Sequence, residues 1–213
     1  MNCLPLCVVR VVTAQLESNM EVTIKKLVGW DVAFASALWT VHKESNGKEP
    51  SETWKAKACI AEHSMLADVR FIVELKNIPT WVSQHLARHD VFAGHTLRDT
   101  KDVHYVATQR TDRTGVDRKK LPQDTPVDHR ISLSAKDFIT ISRLRLCTCA
   151  SKETREVWSA ILDELAKTEP TLAKLCVKNC VYRGFCPEFT TCGYTSNRKF
   201  ADELLMYRDA IGR

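Results

Sequence analysis

The side chains best suited to chemistry in this sequence are arginines and histidines gathered between positions 63 and 118. Arg110, Arg113 and Arg118 fall within nine residues, mixed with Thr, Asp and Gly. Guanidinium groups present planar forks of donors that match phosphate oxygens, and small hydroxyl residues and glycine let the backbone approach such a group closely. The pattern points to a site for a phosphorylated small molecule. A single arginine is more often solvated surface charge, and basic loops also serve nucleic acids. The nucleic-acid use expects stacking aromatics among the basic residues, and none stands between Thr108 and Arg118. His63, His85 and His89 bracket one neighbouring stretch, and imidazoles titrate near neutrality.

These side chains must be positioned by the surrounding elements. Ile78-Pro79 predicts a helix start, since the proline's missing N–H is harmless in a first turn. The helix carries Trp81, Val82, Leu86 and Ala87 and ends in Arg88-His89. Before it, Val69, Phe71, Val73 and Leu75 alternate with Asp68, Arg70, Ile72 and Glu74, which predicts a strand. After it, the polar stretch from Asp90 to Pro126 reads as one long loop, a length that itself points to function. Leu4–Ala14 and Val22–Leu27 read as strand or loop material. Helices are predicted at about Asp31–His42, with a packed stripe through Val32, Ala33, Ala35, Ala37, Leu38 and Trp39, and from a Ser51 cap to about Glu62. Ile131 and Leu133 form a short extended piece. Ser134, with Asp137 three positions on, then makes an approximate capping box for a helix bearing Arg143 and Arg145 near its end. Ser151 caps the next helix, through Val157, Trp158, Ile161, Leu162 and Leu165, until Pro170 closes it. Asn197–Ile211 is a final amphipathic helix with Phe200, Leu204, Leu205 and Tyr207.

Composition bounds the reading. With 213 residues, 44% of them hydrophobic and 27% charged, the chain suits one globular domain, 1–213. Its net charge of +5 is modest and spread out, as suits an anionic metabolite. The apolar run Leu4–Val12 is short and contains Arg10, so it reads as a strand rather than a signal peptide or membrane span. A soluble, cytoplasmic protein is expected. Seven glycines form neither a P-loop nor a dinucleotide-binding fingerprint. Nine cysteines without a secretory signal argue against a disulfide framework. Cys176, Cys180, Cys186 and Cys192 are separated by three, five and five residues. Those spacings fit paired zinc ligands poorly, so ordinary thiols are the preferred reading and no metal ligand is assigned.

Assembled in order, these pieces resemble the flavin-dependent thymidylate synthases, in particular the compact thymidylate-synthase-complementing type of phages and some bacteria. Arg88-His89-Asp90 resembles the opening of that family's RHRxxSxNxxSxR motif, and Thr108-Gln109-Arg110 its end after an insertion. His63 precedes Arg88 at the spacing of a flavin-contacting histidine. Arg118 with Leu121-Pro122 resembles the substrate-phosphate arginine and its Leu-Pro. Leu144-Arg145 resembles the Leu-Arg that polarises the pyrimidine, Ala150 and Glu153 belong to the helix that follows, and GFCPEFTTCG resembles the family's ending. The chain departs from the pattern at Asp90, which stands where the motif has its third arginine. Ser134 replaces an asparagine near the flavin, Cys149 a histidine, and His85 a glutamine, with Gln84 beside it.

The resemblance implies an α/β (α+β) fold with a central, mostly antiparallel sheet flanked by helices. It implies reductive methylation of dUMP to dTMP, with methylenetetrahydrofolate as carbon donor and FAD relaying hydride from NADPH. Arg145 would be catalytic. His85, Gln84, Thr108, Gln109, Arg110, Arg118 and Arg145 would bind the nucleotide, and His63, Arg88, His89, Ser134 and Cys149 would meet the flavin. A homotetramer is implied, with neither membrane nor nucleic-acid partner, acting in the host cytoplasm if phage-encoded. Three alternatives stand beside this reading: a flavin-independent dUMP or dCMP hydroxymethylase on the same fold, a catalytically silent nucleotide-binding homologue, and a basic nucleic-acid-binding protein.

Overall fold

The computed structural model describes residues 20–87, 103–107, 115 and 117–212. The expected strand at Leu4–Ala14 lies outside them. β1 (Glu21–Val28), β2 (Arg70–Pro79), β3 (Val103–Val106) and β4 (Pro126–Ser134) form one sheet in the order β1-β2-β4-β3. Every described pairing is antiparallel. As a central strand, β2 buries Phe71, Val73 and Leu75, and Ile72 on its other face is only 6% exposed. The helical periods in the sequence supply the cover for this sheet.

α1 (Trp30–Trp39) and α2 (Glu52–Ile60) follow β1, and α3 (Thr80–Ala87) follows β2. α4 (Ala135–Arg145) and α5 (Lys152–Ala166) come after β4, then α6 (Pro170–Leu175), α7 (Asn179–Arg183) and α8 (Arg198–Ala210). Short 3-10 turns occupy Ser64–Ala67, Arg118–Lys120 and Tyr194–Ser196. The capping box at Ser134 forms as predicted, and the Ser51, Ser151 and Asn197 side chains accept from Trp54, Thr154 and Phe200 N–H groups. The core runs through the edge-on pair Phe71–Phe138, with centroids 5.4 Å apart, to Phe138–Trp158 at 6.1 Å. Trp158 Nε1 donates to Ser142 Oγ (2.8 Å), which donates to the Phe138 carbonyl (2.6 Å), so the indole's polar end is satisfied inside the core.

Several sequence expectations are corrected. Pro79 does not open α3. A bulge between Leu75 and Ile78, with Asn77 at φ 58°, lets β2 continue until Pro79 lies opposite Pro126. The strand persists because Ile78 and Val127 bury each other's neighbourhood, at 0% and 5% exposure. Within Asp90–Pro126, β3 is an ordered edge strand rather than loop. In α1 the buried residues are Trp30 and Ala33, while Trp39 is 80% exposed. Nine residues beyond Trp30, Trp39 falls about half a turn from the core face. Leu205 is exposed on α8, whereas Phe200 and Tyr207, seven apart on one face, are buried. The helix capped by Ser151 ends at Ala166, before Pro170 as expected, and Pro170 itself occupies the first turn of α6.

Candidate functional site

The start of α3 is fixed from β4's approach loop. Thr80 N–H and Oγ1 both donate to the Thr125 carbonyl, at 3.0 and 2.7 Å, and Trp81 N–H donates to the Gln123 carbonyl at 3.2 Å. These bonds satisfy first-turn donors that the helix itself cannot. The far end of α3 is held by α4 and α5. Arg145 Nη2 donates to the His85 carbonyl at 2.6 Å, setting a cation on the negative end of the α3 dipole. His85 Nδ1 lies 3.3 Å from Thr154 Oγ1, and Ser151 Oγ donates to that same hydroxyl at 2.8 Å. Thr154 Oγ1 thus links the α5 cap to the imidazole, whose ring nitrogen donates or accepts according to its tautomer. Trp81 packs edge-on against the imidazole at 5.3 Å. Gln84 is exposed beside it.

The nominated residues therefore separate into groups. Arg145, His85 and Gln84 gather at the C-terminal end of α3. Arg118 opens the 3-10 turn Arg118–Lys120, and its side chain lies outside what the structure describes. Arg88, His89, Thr108, Gln109 and Arg110 lie outside the described residues. Ser134 and Cys149 flank opposite ends of α4, about 16 Å of helix apart for its 11 residues. Ser134 is 1% exposed; its hydroxyl donates to Asp137 Oδ2 (2.5 Å) and accepts from Asp137 N–H (3.2 Å). Cys149 is exposed, and a hydrogen bond with Cys147, reinforced by that neighbour's charge, pushes its thiol up to about 11. His63 is exposed as the residue before the first 3-10 turn. The preceding Glu62 is ion-paired with Arg143, whose guanidinium stacks 3.6 Å from the Tyr182 ring centroid. Burial alone would raise the Glu62 carboxyl, but Arg143 outweighs it and holds the group below its usual range.

A pair of histidines, not singled out from the sequence, meets on the sheet. His104 Nδ1 and His129 Nε2 lie 3.0 Å apart between β3 and β4. Burial, then the charge of His104, lowers His129 to about 4. The signal was present: His129 takes the inward place in the alternation Val127, His129, Ile131, Leu133. A cavity of about 690 Å³ opens elsewhere, walled by Glu52, Lys174, Val177 and Met206. None of the residues singled out from the sequence lines it; Arg145, His85 and Gln84 meet instead at the α3–α4 contact.

No protein-family model matches the chain, and no curated protein matches it. In three dimensions it is similar to thymidylate synthase X (ThyX) from Helicobacter pylori with FAD and dUMP. That match has 18% identity and a TM-score of 0.57, and covers 75% of this chain and all of that one. A second structure, of the flavin-dependent thymidylate synthase ThyX from Helicobacter pylori complexed with FAD and dUMP, matches at 17% identity and 0.56, over 74% of this chain. The chain shares the ThyX fold. At these identities the likeness concerns the path of the backbone, while the side-chain geometry above belongs to this chain alone. The α+β class with a central antiparallel sheet is the one expected from the sequence, and it is the ThyX class. Among the described residues no helix is long and apolar enough to cross a membrane.

Proposed function

We propose that the chain transfers a one-carbon unit from methylenetetrahydrofolate to C5 of a deoxypyrimidine monophosphate, in first place the reductive methylation of dUMP to dTMP with FAD and NADPH. The observation that carries this reading is a guanidinium, Arg145, fixed at the end of α3 on a fold shared with enzymes that hold dUMP and FAD. C5 of uracil is a weak nucleophile, and a cation at the ring carbonyl stabilises the charge that builds as it attacks. Arg145 is assigned that role. His85 and Gln84, beside it on α3, are assigned to hydrogen-bond the same ring. Thr108, Gln109, Arg110 and Arg118 are assigned to the phosphate, which would fix the base against the carbon donor. The reading also takes 1–213 as one domain and the active unit as a homotetramer whose subunits share the site.

The methylene carbon must then be reduced, and FAD, when bound, supplies that hydride and is renewed by NADPH. Among the flavin candidates, Ser134 is buried and makes two hydrogen bonds with Asp137, and the free thiol of Cys149 is hydrogen-bonded to Cys147. Both side chains are thus engaged within the chain. For the reductive reading the flavin contacts fall to His63, Arg88, His89 and neighbouring subunits. The closed Ser134 box favours a second reading, a dUMP or dCMP hydroxymethylase that ends the transfer with water instead of hydride. A visible absorption spectrum combined with a methylenetetrahydrofolate consumption assay tests both. Bound or titratable flavin with dUMP-dependent turnover supports the synthase, and turnover without flavin supports the hydroxymethylase. Consumption with neither dUMP nor dCMP would refute the proposal.

A further inference from the structure

The cysteines of this chain are not scattered. Cys147 and Cys149 lie in the turn after α4, Cys180 in α7, and Cys186 and Cys192 in the segment between Gly184 and Gly193, whose φ values are 80° and 76°. Cys147, Cys180, Cys186 and Cys192 all line one cavity with room of about 10 Å³. Such a volume admits one occupant the size of a water molecule or an ion and no organic ligand. Two of the four sulfurs already accept main-chain N–H groups, Cys180 from Val181 and Cys192 from Tyr194, and Cys192 is also hydrogen-bonded to Thr148. The lysine on the cavity wall, Lys178, is held by Glu203 at 2.7 and 2.8 Å and lies 4.7 Å from the Tyr194 ring centroid. It is therefore committed elsewhere.

Cys176, grouped with the other three by sequence spacing, is 5% exposed in the core and hydrogen-bonded to Ser142. The structure puts Cys147, from a much earlier segment, in its place. We propose that Cys147, Cys180, Cys186 and Cys192 form a structural zinc site that ties the turn after α4 to the C-terminal segment. Four thiolates select zinc and close its tetrahedral shell, and each thiol gives up its proton on binding. As the side chains stand, no three His, Cys, Asp or Glu among the described residues are placed to hold a metal ion. Ligation therefore draws the sulfurs inward, by side-chain rotation at the exposed Cys192 and the half-buried Cys147, Cys180 and Cys186. The site lies two residues beyond Arg145 and would fix the end of the helix that bears it, but it does not depend on the nucleotide reading.

The test is the metal content of the full chain, purified under reducing conditions without added metal. About one zinc per chain is expected. Cys147→Ser and Cys192→Ser lose it, and Cys176→Ser keeps it. Because a misfolded variant would also lose metal, the unsubstituted chain is in addition exchanged with Co²⁺, and intense thiolate-to-cobalt charge-transfer absorption is expected. Less than about half a zinc per chain with no cobalt spectrum overturns the proposal. So does iron in place of zinc, recovery of the four thiols as two disulfides, or zinc retained by Cys147→Ser and lost by Cys176→Ser.

Discussion

Arg145 closes the C-terminal end of α3 by donating to the main-chain carbonyl of His85 at 2.6 Å. One side chain thus sets the relation between α3 and α4. On the proposed reading, positioning and chemistry fall on the same guanidinium.

Substituting Arg145 separates these roles. Arg145→Ala removes a charge-assisted hydrogen bond, an effect of about 2 kcal/mol on unfolding, and is expected to lower kcat/KM by at least about 100-fold. Arg145→Lys keeps the charge without the fork and recovers part of the activity. Thermal melts with steady-state kinetics check this. A full melting shift with unchanged kcat/KM would assign Arg145 to structure alone.

Arg118→Ala is expected to weaken dUMP binding while leaving kcat at saturating nucleotide nearly unchanged, as for a residue that holds ground and transition state equally. Calorimetric titration measures it. Unchanged affinity would mean that the phosphate lies elsewhere.

Glu169, 3% exposed, accepts from Trp30 Nε1 at 2.8 Å and pairs with Lys26 at 2.5 Å. Glu169→Ala leaves both donors without that acceptor and is expected to destabilise the fold by about 3 kcal/mol. Glu169→Gln preserves an acceptor for the indole and costs about 1 kcal/mol. Urea unfolding distinguishes them, and equal losses would show that the indole bond contributes little.

His129 gives stability a pH dependence. Its ring, 1% exposed, is held at about 4 against an ordinary value of 6.5, by burial first and His104 second. The folded value lies below the unfolded one, so between those limits the unfolded chain binds more protons. The contribution is complete above pH 6.5 and is lost as pH falls towards 4, to a total of about 3 kcal/mol. Unfolding free energy measured across this range should fall more for the unsubstituted chain than for His129→Asn. Parallel profiles would exclude His129 as the cause.

What the sequence made legible follows from the range of the forces involved. Caps are local: Ser51, Ser134 and Ser151 each bond a backbone N–H three residues on, and they were read correctly. The central strand was legible because Phe71, Val73 and Leu75 share one face. β3 was not, since four residues with exposed Tyr105 and Val106 carry no apolar alternation. Pro79 was misplaced because its position depends on a bulge at Asn77 and on pairing with Pro126, more than 40 residues away in sequence. The same holds for the site. His85 and Arg145 were nominated one by one, but their hydrogen bond is tertiary. The place of Cys147 beside Cys180, Cys186 and Cys192 could not be seen from spacing within one segment.

The most direct measurement is the mass of the nucleotide recovered after the purified chain is incubated with dUMP, methylenetetrahydrofolate, FAD and NADPH. The account predicts conversion to dTMP, or to the 5-hydroxymethyl nucleotide if water ends the transfer, and loss of either product in Arg145→Ala. Recovery of unmodified dUMP, and of unmodified dCMP in the parallel reaction, by folded protein would contradict it.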